Sequence, residues 1–197
     1  MSPRTSEQFD KIRKDKKKLI LDISLELFAE KGFHATSISQ IAKKAKISKG
    51  LIYNYFESKN DILQEISKEG FHVIFSNFDL NHDGVLTEEE FFYFIRRSFE
   101  LVKENHKFWR LYFSLMVQPS ISEDFHKEYE EKADPMFQMM YDFVQSKGSI
   151  DPQGDLMTIS ALIEGAMLYI IVAPEIFPAE VMQEKVIKGI PKLISTN

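Results

Sequence analysis

The chain of 197 residues contains no cysteine, which excludes disulfides, thiol nucleophiles and thiolate zinc sites and is typical of a reducing compartment. Long apolar runs are also missing, since the longest, residues 165–174, is about half of what a membrane-spanning helix needs. The polar residues 1–18 lack the apolar segment of a secretory signal. The sequence therefore predicts a cytoplasmic protein without a membrane partner.

Several catalytic signatures are absent as well. There are no paired carboxylates, no nucleophile motif and no glycine-rich phosphate loop, and the five histidines are scattered. The sequence therefore predicts a protein that is not an enzyme and requires no cofactor.

Apolar residues recur with helical spacing along most of the chain, and no segment alternates with the two-residue period of a strand. This pattern predicts an all-α fold with about nine helices. The first ends near residues 31–32, the second follows Ser37, the third runs from Ser48 to Tyr55, and the others cover about 60–78, 88–104, 106–118, 122–147, 153–173 and 179–195.

Charge is distributed unevenly. Residues 1–60 contain 13 Lys and Arg against 7 Asp and Glu, whereas residues 61–197 contain 12 against 23. A basic module on an acidic body is typical of a protein that binds nucleic acid through one part of its surface. A solvated lysine-rich tail at residues 11–18 explains part of the same asymmetry.

Residues 20–63 carry a dense set of motif positions: Leu27-Phe28, Gly32-Phe33, Thr36, Ile41-Ala42, Ala45, Ser48, Gly50, Tyr53, Tyr55-Phe56 and Lys59. In these positions the segment resembles the DNA-binding domain of the TetR/AcrR family of transcription regulators, with Lys46 where that family often has glycine. The resemblance implies a flexible basic arm at residues 1–15, a three-helix helix-turn-helix domain at 16–62, and a larger effector-binding and dimerisation domain at 63–197.

The recognition helix of such a domain presents its first residues to the major groove. Here Lys49 is suited to guanine or phosphate, Asn54 to adenine, and Gly50 to close approach of the backbone. The family resemblance implies phosphate clamps at Thr36, Ser37, Tyr53, Tyr55 and Lys59. The predicted DNA-binding set is Thr36, Ser37, Lys46, Ser48, Lys49, Gly50, Leu51, Tyr53, Asn54, Tyr55 and Lys59, with packing beneath the helix as the alternative for the two tyrosines.

The C-terminal domain contains apolar residues that we assign to dimerisation and to effector binding. The family resemblance implies that the last two helices form a homodimer interface. An apolar face there fits this at Ile159, Ile163, Ala166, Ile170, Val186 and Ile190, with burial inside one chain as the alternative. A pocket for a small apolar or aromatic effector is predicted at Phe108, Trp109, Tyr112, Phe113, Met136, Met139, Met140 and Phe143, with ordinary core packing as the alternative.

Residues 79–90, DLNHDGVLTEEE, match the 12-residue EF-hand calcium loop. The predicted calcium ligands are Asp79, Asn81, Asp83, Val85, Thr87 and Glu90, and Gly84 occupies the hinge position. The competing interpretation is an acidic turn followed by a helix whose first turn is capped by Thr87 and Glu90.

Two functions follow from these patterns. The first, which the family resemblance implies, is a DNA-binding transcriptional repressor that binds a palindromic operator as a homodimer and is released by an effector. The second is a calcium-binding protein in which Ca²⁺ is the main ligand and DNA binding is secondary.

Overall fold

A computed structural model describes residues 6–76, 78–118 and 122–195 of the chain. Within these ranges the protein is all-helical and contains no strand, which confirms the predicted fold class. The elements are α1 (Ser6–Lys31), α2 (Ile38–Ala45), α3 (Lys49–Tyr53), α4 (Lys59–Phe75), α5 (Glu88–Glu104), α6 (His106–Met116), α7 (Ser122–Ser146), α8 (Pro152–Val172), α9 (Ala179–Gly189) and a 3-10 turn (Ile190–Lys192).

Local sequence signals set several helix ends. Gly32, with φ of 89°, ends α1 in the left-handed conformation that glycine adopts without strain. The side chains of Ser37 and Thr87 each accept a hydrogen bond from the backbone N–H of the third residue of the following helix. The side chains of those third residues, Gln40 and Glu90, accept in turn from the backbone N–H of Ser37 and Thr87. These two capping boxes satisfy backbone N–H groups that α2 and α5 would otherwise leave unpaired.

The chain divides into two compact units. The N-terminal unit comprises the described residues up to Gly70 together with those of Ser114–Phe125, and the C-terminal unit comprises those of Phe71–Phe113 and His126–Asn197. This differs from the predicted boundary at residues 62–63, because α4 continues unbroken from Lys59 to Phe75 and the end of α6 returns to the first unit.

The N-terminal unit is organised around α1. Phe28, Ile41, Ile52 and Ile62, from α1 to α4, are each completely buried. A small core of this kind fixes α2 and α3 because each buried aliphatic or aromatic side chain stabilises by about 1.5–3 kcal/mol.

The C-terminal unit packs α5 against α8 and α9. Trp109 is 1% exposed, and its indole N–H donates to the Leu101 carbonyl at 3.0 Å. Asp155, at the start of α8, accepts hydrogen bonds from the Ser149 hydroxyl and from the Ser195 N–H and hydroxyl. The last described residues are thereby tied to the connection between α7 and α8.

Three helix ends differ from the sequence expectations. Part of the basic arm expected to be flexible is helical, since α1 begins at Ser6, while residues 1–5 lie outside the described part. The helix α4 stops at Phe75 rather than near Phe78. The last α-helix ends at Gly189 because Pro191 has no N–H to continue it, and a 3-10 turn follows.

By length and composition alone, α8 would be able to cross a membrane, but 44% of its apolar stretch is buried inside the protein. Its inner face includes Ile159, Ala166 and Ile170, which are almost completely buried. We therefore interpret α8 as a core helix of the C-terminal unit.

Candidate nucleic-acid interface and C-terminal sites

The turn between α2 and α3 is held by its own backbone. Lys46 adopts φ of 55° and ψ of 44°, and its N–H donates to carbonyls at the end of α2. This left-handed conformation is unusual for a residue with a Cβ atom. The Ser48 hydroxyl then accepts from the Leu51 N–H at 3.1 Å and caps α3, and Ile52 anchors that helix in the core.

One side of this turn and of α3 consists of exposed side chains. Lys46 and Lys49 have no acidic partner among the residues that the structure describes. Leu51 is half-buried, and the remaining predicted DNA-contacting residues of the turn and helix are exposed: Lys46, Ser48, Lys49, Gly50, Tyr53 and Asn54. Ser37 is also exposed at the start of α2. The surface is thus rich in cationic and hydrogen-bonding groups that can meet phosphate oxygens and base edges.

Gly50 is not required by packing within the chain. No described atom lies within 4 Å of the position that a Cβ atom would occupy, and the residue lacks a positive φ. Glycine nevertheless costs about 1 kcal/mol relative to alanine inside a helix. The space above Gly50 is therefore open to an approaching surface, and the packing of the described chain does not explain the glycine.

The two tyrosines after Gly50 have different surroundings. Tyr53 is 51% exposed, so packing beneath α3 does not account for it. Tyr55 is half-buried, and the guanidinium of Arg13 lies 5.7 Å from its ring centre, within reach of a cation–π contact. Sequence reasoning missed Arg13 because a contact across 42 positions leaves no local pattern.

The structure corrects two predicted phosphate clamps. Thr36 is 2% exposed, and its hydroxyl donates to the carbonyls of Leu27 and Gly32, so it stabilises the end of α1. The ammonium of Lys59 donates to the carbonyls of Phe33 and Thr36 at 2.6 and 2.8 Å, and burial lowers its pKa. Both residues therefore hold the connection between α1 and α2.

Gln118 is a second residue that the sequence did not reveal. Its amide nitrogen donates to the Phe28 carbonyl at 3.0 Å, and its amide oxygen accepts from the Phe33 N–H at 3.2 Å. One side chain from beyond the end of α6 thus pairs two backbone groups at the end of α1. No spacing rule links positions 85 to 90 residues apart in sequence.

The predicted dimer interface is also corrected. Ile159, Ala166, Ile170, Val186 and Ile190 are at most 3% exposed within a single chain, and Ile163 is partly buried. These residues form the inner face of α8 and α9, which is the alternative that the sequence left open. The exposed apolar residues of the same region are Met157, Leu168, Tyr169, Val172, Ile176 and Val181.

The predicted effector pocket is packed as core. Trp109, Tyr112, Met136, Met140 and Phe143 are buried, and Phe108, Phe113 and Met139 are half-buried. The rings of Phe108 and Tyr112 stack with their centres 5.8 Å apart, and each meets the Trp109 indole edge to face, at 5.0 and 5.6 Å.

An open groove of about 830 Å³ lies between α7 and α8 instead. Aromatic, apolar and acidic side chains line it, including Phe137, Tyr141, Met157 and Glu164, and desolvation raises the pKa of Glu164. Its volume falls within the range typical of small-molecule sites.

The predicted calcium loop forms the connection between α4 and α5. Thr87 and Glu90 act there as the capping box of α5. In this arrangement no three His, Asp or Glu side chains of the described residues lie close enough together to hold a metal ion.

Comparison with known proteins supports the identity of the N-terminal unit. Residues 20–66 match the family model for bacterial regulatory proteins of the tetR family. The uncharacterized HTH-type transcriptional regulator YuxN of Bacillus subtilis is 54% identical over 50 residues, which are 25% of this chain and 17% of that protein. The match therefore covers well under two thirds of the relative's length.

Solved structures extend the likeness to the whole fold. A TetR family transcription regulator from Marinobacter aquaeolei VT8 has a TM-score of 0.73 at 18% identity, covering 95% of this chain and 100% of that one. A transcriptional regulator from Saccharomonospora viridis, solved in complex with choline, has a TM-score of 0.63 at 19% identity, covering 90% and 96%. Residues 20–66 are therefore a DNA-binding domain of the tetR family, and the chain has the fold of TetR-like regulators.

Proposed function

We propose that this protein is a transcriptional repressor that binds a palindromic operator as a homodimer and is released by a small molecule bound in its C-terminal unit. The tetR-family match of residues 20–66 supports DNA binding and transcription regulation. The comparisons favour this function over a calcium-binding protein in which DNA binding is secondary.

The observation that carries the proposal is the exposed side of α3. Lys46 and Lys49 extend from it without acidic partners in the described chain, and Gly50 leaves its backbone open to an approaching surface. Cationic groups beside an accessible backbone suit the phosphates and base edges of a major groove. The capped turn presents these groups on a rigid support, which lowers the entropic cost of binding.

Dimerisation is supported by the outer face of α8. Met157, Leu168 and Val172 are spaced along one side of this helix and are 63%, 49% and 70% exposed. A palindromic operator repeats its half-sites about one helical turn apart, so a helix-turn-helix protein binds it as two copies. We therefore propose a second copy of the chain as the partner that covers this apolar stripe. A twofold pairing of this face buries the same residues on both copies.

The effector proposal rests on the chemistry of the C-terminal unit. Its core combines aromatic rings with Met136, Met139 and Met140, and methionine side chains repack readily around a guest molecule. The proposed effector is therefore a small apolar or aromatic compound. Choline in the related Saccharomonospora viridis protein suggests organic cations as a second class to test.

Operator binding tests the proposal directly. Fluorescence anisotropy would follow the protein titrated onto DNA from upstream of its own gene, at several salt concentrations. We expect tight binding that weakens steeply with salt, and for Lys49→Ala a loss of about 5- to 150-fold with a salt slope smaller by about 1. Lys188→Ala, which removes an exposed lysine from α9, is the matched control and should leave affinity unchanged.

Two results would contradict the proposal. Equal affinity for the upstream DNA and for unrelated DNA of the same length would argue against a specific operator. Binding by a monomer, seen as a single chain per duplex in sedimentation, would argue against the homodimer.

A further inference from the structure

The connection between α4 and α5 has a spacing that DNA binding does not explain. Asp79, Asn81 and Asp83 alternate with non-ligating residues, Gly84 follows, and Glu90 stands six positions later. This is the order of oxygen donors in the calcium loop of an EF-hand. The capping box of α5 accounts for Thr87 and Glu90, but it leaves the first three residues without a role.

The loop backbone has the shape that the motif requires. Gly84 has φ of 77°, which makes the sharp turn at the sixth position. Its N–H donates to Oδ2 of Asp79 at 3.0 Å, across five positions. The N–H groups of Asp83 and Val85 donate to Oδ1 of Asn81 and Oδ1 of Asp83, respectively. The side-chain oxygens of Asp79, Asn81 and Asp83 thus each bond to a backbone N–H of the loop itself.

One atom of this loop is unsatisfied. Oδ1 of Asp79 is buried, and it has no hydrogen-bond partner among the described residues. A carboxylate oxygen withdrawn from water without a partner is costly, so such atoms in folded proteins call for a ligand, an ion or a water molecule. The first position of an EF-hand loop is a metal ligand, and the unsatisfied oxygen belongs to the residue at this position.

Glu90, at the twelfth position, is only 7% exposed. The Thr87 N–H and hydroxyl donate to its carboxyl group at 3.0 and 2.7 Å, and the Leu80 N–H also donates to it at 3.3 Å. The Glu90 carboxyl group is therefore held between the two ends of the loop.

Apolar contacts fix both ends of the loop. Phe78 precedes it and is 3% exposed, with its ring 5.0 Å from that of Phe94 in α5. Phe75, the last residue of α4, stacks on the same Phe94 ring at 5.7 Å. Leu86, at the eighth position, is also buried. The donors are thus carried on a loop whose two flanks are already packed together.

We propose that residues 79–90 form a binding site for one calcium ion. The ligands are side-chain oxygens of Asp79, Asn81, Asp83 and Glu90, the carbonyl of Val85, and Thr87 directly or through water. Binding requires the Glu90 carboxylate to turn from its capping position towards the loop centre. The set suits calcium rather than magnesium because it offers many oxygen donors in a flexible geometry, whereas magnesium demands a near-ideal octahedron.

Calorimetric titration of Ca²⁺ into the full-length protein, after treatment with chelator and in the presence of excess Mg²⁺, tests the site. We expect one ion per chain and a higher unfolding temperature with calcium, since a ligand that binds only the folded state stabilises it. Glu90→Gln and Asp79→Asn should each weaken binding by about 100-fold or more. Both variants should fold, because Gln40 shows that glutamine serves in a capping box and asparagine can still accept from the Gly84 N–H.

The matched control is Glu89→Gln, which removes the same charge from an exposed, non-ligating position. It should bind calcium as the unmodified protein does. The proposal is overturned if the unmodified protein takes up no calcium, or if Glu90→Gln and Glu89→Gln bind it equally well. These outcomes are read from calcium binding alone, so they are distinct from the results that test operator binding.

Discussion

Charged groups of the two units are arranged in opposite ways. In the N-terminal unit, Lys46 and Lys49 extend into solvent beside α3. In the C-terminal unit, Asp155 is 5% exposed, and hydroxyl and backbone N–H groups surround its carboxylate. Exposed charged groups without partners inside the chain are available to bind another molecule. Buried charged groups whose hydrogen bonds are all made hold segments of the chain together.

Lys59 shows that the direction of a side chain decides whether its charge is available to an external partner. The sign of the charge and the unit to which the residue belongs do not decide it. Lys59 belongs to the basic N-terminal unit, but its ammonium donates to backbone carbonyls of the α1–α2 connection. Charge counted along the sequence therefore overestimates the cationic surface that α3 and its surroundings offer to DNA.

The largest effect is expected at Asp155. Asparagine there loses a negative charge that accepts three hydrogen bonds, so the free energy of unfolding at pH 7 should fall markedly. The hydroxyl of Ser149, followed by the Ser195 N–H, holds the pKa of Asp155 below its ordinary value of 3.8. Its contribution is therefore complete above pH 3.8 and is lost as the pH falls through the lowered value.

Thermal unfolding of Asp155→Asn and of the unmodified protein across this pH range is the measurement. The difference in unfolding temperature should be large at pH 7 and shrink in acid. Asp142→Asn, at an exposed carboxylate of α7, is the control and should change little. A difference that is the same at every pH would show that Asp155 does not act through its charge.

An intermediate effect is expected at Gly50, where stability and binding should separate. Alanine favours the helix over glycine by about 0.5–1 kcal/mol, and no described atom obstructs its Cβ. Gly50→Ala should therefore raise the unfolding temperature slightly while weakening operator affinity, because the added methyl group stands between the backbone and the DNA. Unchanged affinity in the anisotropy titration would remove Gly50 from the interface.

The smallest effect overall is expected at Lys46→Gly, for which we predict a change in stability alone. The left-handed backbone of Lys46 costs a residue with a Cβ atom roughly 1 kcal/mol, so Lys46→Gly should stabilise the N-terminal unit by about that amount. Lys46→Ala removes the same charge but keeps the strain, so it should not stabilise. Urea unfolding of both variants separates the two causes, and equal stabilities would mean that the turn is not strained.

The sequence was most informative where function depends on neighbours along the chain. Several local features could be predicted because each depends on residues three or four positions apart. They are the capping boxes at Ser37 and Thr87, the start of α3 after Ser48 and the bounds of α5. The all-helical class followed from the same periodicity. The helix-turn-helix could be located for the same reason, since its pattern is confined to about 45 residues.

The sequence was least informative about which side of an apolar segment faces solvent. Ile159 and Leu168 are equally apolar, yet one is 1% and the other 49% exposed, so the inner face of α8 was mistaken for the dimer interface. Likewise, Trp109 and Met136 are apolar whether they line a cavity or fill a core. Composition alone does not distinguish a cavity lining from a core, or an inner helix face from an exposed one. Burial depends on which other helix packs against the residue in the folded protein.

The amino-acid sequence by itself determined the helices, their caps, the basic N-terminal module and the order of oxygen donors at residues 79–90, since each is encoded by short-range spacing. Only the tertiary structure decided that the Thr36 hydroxyl and the Lys59 ammonium bond to backbone carbonyls, that Gln118 pairs with backbone groups at the end of α1, and that Oδ1 of Asp79 is buried without a described partner. The physical reason is that hydrogen bonding and desolvation depend on segments far apart in the chain, and these meet only when the core has formed.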